Sequence, residues 1–416
     1  MSPELVILLA GLFGFYMAFN IGANDVANAM GTSVGSRAMT IKQAILAAAI
    51  FEFAGAFLAG SAVTHTIGAD LLDLTAFAGN SMAYIHGMLA TLLSTAIWLH
   101  LATHFGLPVS TTHSVVGAVW GFGIAHGGLD AVILDKAGAI VASWFVSPIS
   151  GLLLALLIYR IVDQKIYQSS SPTRATRRLA PVFVFVVVAI LVLSMIYKGL
   201  KGLHLDLPFV SAIGLAVGAG ALAALAAHFT FRRSLAAADG ETEAEKHLAV
   251  ERVFVFLQIL TACYVAFAHG ANDVANAVGP LNSIIAVLAS GTLDVGAAAV
   301  PPWVMLIGAA GIVIGLAALG HKVIATVGSK ITEMTPSRGF AAQFGAATTV
   351  LGASKMGLPI STTHTLVGAV IGVGIARGFA HLDFKVLRDI MASWFITLPF
   401  TALLTVLIYK ILQASF

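Results

Sequence analysis

Long apolar runs separated by short polar stretches fill most of the chain. Ala180–Tyr197, Pro208–Phe231, Val253 up to Asp273, Ala299–Gly320 and Met391–Tyr409 carry no other Asp, Glu, Lys or Arg. A helix needs about 20 apolar residues to cross the hydrocarbon of a bilayer, so each run predicts a membrane span. Twelve such segments are predicted, at residues 5–21, 43–62, 83–102, 108–126, 137–159, 180–197, 208–231, 253–270, 301–320, 340–355, 359–376 and 390–409. The fourth, tenth and eleventh are short or interrupted, which predicts discontinuous helices or hairpins that do not cross fully. Short alternating segments, the mark of barrel strands, do not organise the chain. The expected fold class is therefore an all-α integral membrane protein of about twelve transmembrane helices.

Composition agrees with this pattern. Of 416 residues, 59% are hydrophobic and 10% are charged, where a soluble domain carries about 25% charged residues. The mean hydropathy is +0.95. The 41 Gly and 12 Pro favour broken helices. The opening Met-Ser-Pro-Glu is not a cationic leader, so residues 5–21 read as a first span rather than a cleaved signal. Cys263 is the one cysteine, which excludes an internal disulfide and a thiolate metal cluster, and it reads as packing within a span. The net charge of +3 is set by loop arginines and lysines and says little.

The chain writes one eight-residue string twice. Gly22-Ala23-Asn24-Asp25-Val26-Ala27-Asn28-Ala29 returns as Gly270-Ala271-Asn272-Asp273-Val274-Ala275-Asn276-Ala277. Gly106-Leu-Pro-Val-Ser110-Thr111-Thr112-His113 returns as Gly357-Leu-Pro-Ile-Ser361-Thr362-Thr363-His364. Ala142–Phe145 and Ile158–Arg160 recur as Ala392–Phe395 and Ile408–Lys410. The offsets are 248, 251, 250 and 250 residues, so the chain is an internal duplication. Residues 1–165 form the first repeat, 166–250 connecting spans and a polar linker, and 251–416 the second repeat.

Loop charge gives the relative orientation of the repeats. Arg37 and Lys42 follow the first string, whereas 279–300 after the second has no Lys or Arg. Residues 63–82 have none, against Lys322, Lys330 and Arg338 in the matching loop. Lys136 stands alone against Arg377, Lys385 and Arg388. Arg160, Lys165, Arg174, Arg177 and Arg178 stand against Lys410. Basic loops stay cytoplasmic, so equivalent loops lie on opposite faces and the repeat is inverted. Both termini are then expected outside, with the solvated connector 232–252 inside.

An ionisable group inside a span marks an ion or substrate path. Asp25 and Asp273 lie in such segments with no Lys or Arg inside a span to pair with. A proline followed by serine and threonine marks a helix start. The free N–H groups and partial positive charge there suit an anion such as phosphate or sulfate. For one copy, capping of the helix by its own hydroxyls explains Ser110, Thr111 and Thr112. A second copy, Ser361, Thr362 and Thr363, in an inverted half favours a shared midplane site. Carboxylate and carboxamide oxygens are hard ligands that suit Na+. An ionised Asp also accepts a hydrogen bond from the P–OH that phosphate retains near neutral pH and sulfate lacks. A site that needs anion and cation together has the logic of a symporter.

Other residues are weighed more blandly. Glu52, in Ile50-Phe51-Glu52-Phe53, is read as a cation or proton carrier or as an interfacial residue, with Gly308 as its register mate in the second half. His113 and His364 read as hydrogen-bonded helix residues, and Trp144 and Trp394 as interfacial anchors. His65, His86, His100, His104, His269 and His321 show no ligand spacing.

At the doubled Gly-Ala-Asn-Asp-Val-Ala-Asn-Ala and Pro-x-Ser-Thr-Thr-His motifs the sequence resembles the inorganic phosphate transporter (PiT) family, over nearly its whole length. The resemblance implies a secondary symporter of inorganic phosphate, with inverted repeats, alternating access and a homodimer in a bacterial-type inner membrane. It implies phosphate contacts from Asp25, Ser110, Thr111, Thr112, Asp273, Ser361, Thr362 and Thr363. It implies Na+ ligation by Asn24, Asp25, Asn28, Glu52, Asn272, Asp273 and Asn276. The Val34–Arg37 and Phe51-Glu52 stretches resemble the Na+-coupled branch, with H+ as the alternative coupling ion. No further cofactor, catalytic residue or nucleic acid is implied.

The rival readings are a proton-coupled, metal-phosphate or sulfate symporter on the same frame, a channel, and an intramembrane hydrolase built on Ser110 or Ser361 with His and Asp. The hydrolase lacks a Gly-x-Ser-x-Gly elbow and has no use for two inverted sites. Doubled, broken segments favour alternating access over an open pore.

Overall fold

The computed structural model describes residues 2–196, 207–236, 242–295, 298–324, 333–378 and 382–415. These residues form helices and connecting turns, with one isolated bridge between Leu72 and Val132. The first half contains α1 (Pro3–Gly35), α2 (Ile41–Ala59), α3 (Ser61–Ala69), α4 (Ser81–His104), α5 (Thr111–Gly127) and α6 (Leu134–Val162). Two connecting helices follow, α7 (Pro172–Ser194) and α8 (Phe209–Ala236). The second half contains α9 (Glu243–Ser290), α10 (Pro302–Leu319), α11 (Pro336–Lys355), α12 (Thr362–Arg377) and α13 (Phe384–Ser415).

Nine helices among the described residues are long and apolar enough to span a membrane. The rest are shorter or less apolar. α5 has 17 residues and α12 has 16, and with the more polar α11 these are the segments expected to be short or interrupted. The chain is an all-helical membrane protein, with nine candidate spans among the described residues against the twelve segments expected.

Two boundaries differ from expectation. α1 and α9 do not stop at the Gly-Ala-Asn-Asp strings but run through them, over 33 and 48 residues. The motif's asparagines look like helix breakers, yet all four are buried, and the side chains of Asn24, Asn28 and Asn272 bond neighbouring elements rather than their own backbone. The polar connector 232–252 is also largely helical. Arg232–Ala236 complete α8, and Thr242 opens α9 with a capping box, its N–H donating to Glu245 Oε2 at 2.9 Å. Residues 237–241 of that connector, Lys330 and Tyr197 lie outside the described residues.

The halves interlock through close backbone approach. Lipid tails are as apolar as leucine, so helices in a bilayer associate by tight packing at small residues. Gly22 of α1 lies against the Ile312 carbonyl of α10, and Gly315 of α10 against the Phe19 carbonyl. In the same way Gly270 of α9 lies against the Glu52 carbonyl of α2, and Gly55 against Phe267. A methyl group at any of these glycines would overlap backbone atoms. The paired contacts fix the register between α2 and α10. Gly55 matches Gly315, and Glu52 matches Ile312 rather than Gly308. The sequence alignment slips because α9 after its motif and the connection Gly291–Pro301 are both longer than their counterparts in the first half, the end of α1 and Ser36–Thr40.

Candidate functional site

The two Ser-Thr-Thr-His segments open short helices that meet in the protein interior. Residues before α5 and α12 are extended, with Ser110 at φ −86° and Ser361 at φ −82°. Ser110 Oγ accepts from His113 N at 3.2 Å and Ser361 Oγ accepts from His364 N at 3.1 Å. Both serines are thus N-caps, holding the helix starts in place. The next hydroxyls reach the motif aspartates. Thr111 Oγ1 donates to Asp25 Oδ2 at 2.6 Å, and Thr362 Oγ1 to Asp273 Oδ2 at 2.7 Å. The third hydroxyls cross between halves, Thr112 to the Ile360 carbonyl at 3.0 Å and Thr363 to the Val109 carbonyl at 3.3 Å. The two helix starts therefore clasp one another beside both aspartates.

The asparagines divide by what they hold. Asn24 donates to Thr103 Oγ1 and to the Leu107 carbonyl, each at 3.0 Å, and accepts from Val109 N at 3.3 Å, so its amide pins the approach to α5. Asn272 donates to Ser354 Oγ at 2.7 Å. Asn28 Nδ2 donates to Thr363 Oγ1 at 2.8 Å, a bond from the first half to the second. Its mate Asn276 keeps Nδ2 without a hydrogen-bond partner among the described residues, although it is buried.

Sequence reasoning passed over His269. Its Nε2 lies 2.9 Å from Asp273 Oδ2 and 3.9 Å from Asp25 Oδ2, and its Nδ1 lies 3.3 Å from Glu52 Oε2. All four side chains are within 2% of full burial. His269 thus gathers Asp25, Asp273 and Glu52 into one cluster. The available signal was a difference between the copies: the residue before the motif glycine is Ile21 in the first half and His269 in the second. With Glu52 facing Ile312 by register, each half contributes one polar residue where the other has isoleucine. Glu52 is a core residue of the cluster and not an interfacial one.

The motif histidines are not hydrogen-bonded through Nε2 among the described residues. Their rings meet each other at 4.3 Å between centroids. Trp144 covers His113 at 3.8 Å and Trp394 covers His364 at 3.5 Å, so these tryptophans pack onto the helix starts rather than anchoring at an interface.

Asp25, Asp273 and His269 each offer one ligand atom, all within 4.8 Å of one another. Asp25 Oδ1, Asp273 Oδ1 and both Glu52 oxygens make no hydrogen bond among the described residues. Buried carboxylate oxygens left without donors need a cation or a proton, and hard oxygen donors fit Na+. The N-termini of α5 and α12 beside them fit an oxyanion.

The chain was compared with known proteins on this footing. Residues 21–405 match the Phosphate transporter family. A "Putative phosphate permease" of Haemophilus influenzae is 43% identical over 411 residues, covering 99% of this chain and 97% of that protein. "Inorganic phosphate transporter 2-1, chloroplastic" of Arabidopsis thaliana is 43% identical, covering 98% of this chain and 72% of that protein. A solved structure described as "The sodium-dependent phosphate transporter" superposes with a TM-score of 0.91 at 38% identity, covering 99% of each chain. The chain accordingly belongs to the phosphate transporter family, as a multi-pass membrane transporter and not an enzyme.

Proposed function

We propose that this protein imports inorganic phosphate by symport with Na+, through alternating access of two inverted halves around a midplane site. The observation that carries this reading is the clasp of the two hydroxyl-bearing helix starts against Asp25 and Asp273, with carboxylate oxygens left unbonded. The repeats are residues 1–165 and 251–416, joined by 166–250, in a cell membrane of bacterial inner-membrane type and as a homodimer. Na+ coupling draws support from the solved sodium-dependent relative.

In this mechanism phosphate lies between the starts of α5 and α12. Backbone N–H groups receive its oxygens, the hydroxyls of Thr111, Thr112, Thr362 and Thr363 turn to it from the protein acceptors that hold their protons in this structure, and Ser110 and Ser361 keep the helix starts in shape. Asp25 or Asp273 accepts a hydrogen bond from its remaining P–OH, a contact that sulfate cannot supply. Na+ takes the free carboxylate oxygens of Asp25, Asp273 and Glu52, with Asn28, Asn272 and Asn276 completing its shell and Asn24 holding the frame. Without the cation the carboxylates repel the anion, and bound cation offsets part of that repulsion. Anion and cation therefore favour each other's binding, which is the coupling.

Uptake of labelled phosphate into proteoliposomes tests this. An inward Na+ gradient should drive accumulation that excess sulfate leaves unchanged and that Asp25→Asn or Asp273→Asn abolishes. Accumulation driven by a proton gradient alone would move the coupling to H+. No accumulation under either gradient, from folded protein, would overturn the phosphate reading.

A further inference from the structure

The inverted mates of one polar seam are apolar. Where α1, α9 and α11 meet, Ser36 Oγ donates to Gln258 Oε1 at 2.6 Å. Gln343 Nε2 donates to Ser33 Oγ at 2.7 Å and to the Ala29 carbonyl at 3.1 Å, and Thr261 Oγ1 donates to Gln343 Oε1 at 2.9 Å. Gln258 Nε2 and Thr32 Oγ1 are buried here without a partner among the described residues. This seam begins one helical turn beyond Asn28 of the site. It runs to the end of α1, the face that carries Arg37, Lys42, Arg252 and Arg338 and is cytoplasmic by its basic loops.

The registers of the repeat, 248 between α1 and α9 and 251 between α4 and α11, identify the mates on the opposite face. Ser33 and Ser36 correspond to Leu281 and Ile284, Gln258 and Thr261 to Ala10 and Phe13, and Gln343 to Leu92. Leu92, Leu281, Ile284 and Ala10 are buried, and Leu281 rests on Gly14 of α1. The backbone frame is thus repeated while the side chains along the two seams differ in kind.

We infer that Ser33, Ser36, Gln258, Thr261 and Gln343 line the cytoplasmic half of the transport path, and that Leu92, Leu281 and Ile284 form an apolar plug closing the outer half. Water that enters the inner seam replaces one set of hydrogen bonds by another, whereas water entering the outer seam must wet apolar surface. The inner seam also has the chemistry of a path for mixed ions. It offers donors and acceptors to an anion and to cations, and has no fixed charge of its own to trap either. The empty protein accordingly opens inward more readily than outward.

Thiol accessibility tests this without any transported ion, so its outcome is independent of the phosphate reading. In a Cys263→Ala background, Ser33→Cys and Gln258→Cys are compared with Leu281→Cys and Leu92→Cys in sealed vesicles of either orientation. A membrane-impermeant maleimide is added with Na+ and phosphate absent. The inner pair should react from the cytoplasmic face roughly tenfold faster than the outer pair reacts from the other face, one hydrogen-bond exchange against one buried leucine. Equal rates, or a faster outer pair, would overturn the inference. Ser33→Leu with Gln343→Leu gives the inner seam the residues of its mate, and should slow inner labelling of Gln258→Cys to the outer rate. Unchanged labelling in that variant would also refute it, and a failure of the variant to fold leaves the first comparison to decide.

Discussion

The cluster around His269 predicts a reversal of sign in a double-mutant cycle with Glu52. His269 Nδ1 lies 3.3 Å from Glu52 Oε2, and Glu52 is fully buried. For unit charges at that separation and an effective dielectric of about 20, the attraction is about 5 kcal/mol, which bounds the effect. His269→Ile strands Glu52 in the interior, and stranding one partner of a buried pair costs about 3–5 kcal/mol. Glu52→Ile is milder, because His269 keeps Asp273 at 2.9 Å, and should cost about 1–3 kcal/mol. In the His269→Ile background the same Glu52→Ile change removes the stranded carboxylate and puts isoleucine at both positions, as Ile21 and Ile312 already stand in the other half. It should therefore stabilise that background by roughly 2 kcal/mol. SDS titration of the four purified proteins in Na+-free detergent measures each step. If Glu52→Ile destabilises both backgrounds equally, Glu52 has another partner and the pairing is wrong.

Three further outcomes are expected. Gly22→Ala and Gly315→Ala each drive a methyl group into a facing carbonyl, so both should destabilise by about 1–3 kcal/mol and cut uptake, whereas Gly11→Ala, with open space around it, should not; thermal unfolding in detergent separates them. Asn28→Ala should cost about 1 kcal/mol more stability than Asn276→Ala, because only Asn28 loses a hydrogen bond, while Asn276→Ala should raise the Na+ concentration needed for half-maximal uptake by removing a ligand from the proposed cation shell. Thr111→Val and Thr362→Val each remove a charge-assisted bond to a buried aspartate and should lower stability by about 1.5–3 kcal/mol; Thr→Ser at the same positions should restore both stability and uptake, and a Ser variant as impaired as Val would refute the role given to the hydroxyl.

What the sequence made legible was the part written twice. Two identical strings and two Ser-Thr-Thr-His segments pointed to the duplication and to the proposed site residues, and in the structure Thr111 and Thr362 donate to Asp25 and Asp273. The continuing helices were not legible, because an Asn-rich string reads as a break until its buried partners are known. His269 and the polar seam were missed, and Glu52 was left between a cation carrier and an interfacial residue, because each exists in one copy only. A search for repetition discards such positions, and the unequal loops Ser36–Thr40 and Gly291–Pro301 hid which residues were mates. Yet a site with perfect two-fold symmetry would give its inward-facing and outward-facing states equal energy. The repeated residues can make the site, but only unrepeated ones can bias it. Here His269 with Glu52 faces the matching Ile21 and Ile312, and Ser33 with Gln343 faces Leu281 and Leu92. On the alternating-access mechanism proposed above, these pairs are among the unrepeated positions that bias one access state over the other. Exchanging the two sets between halves should move the balance between inward and outward opening while leaving the clasp of Thr111 and Thr362 intact.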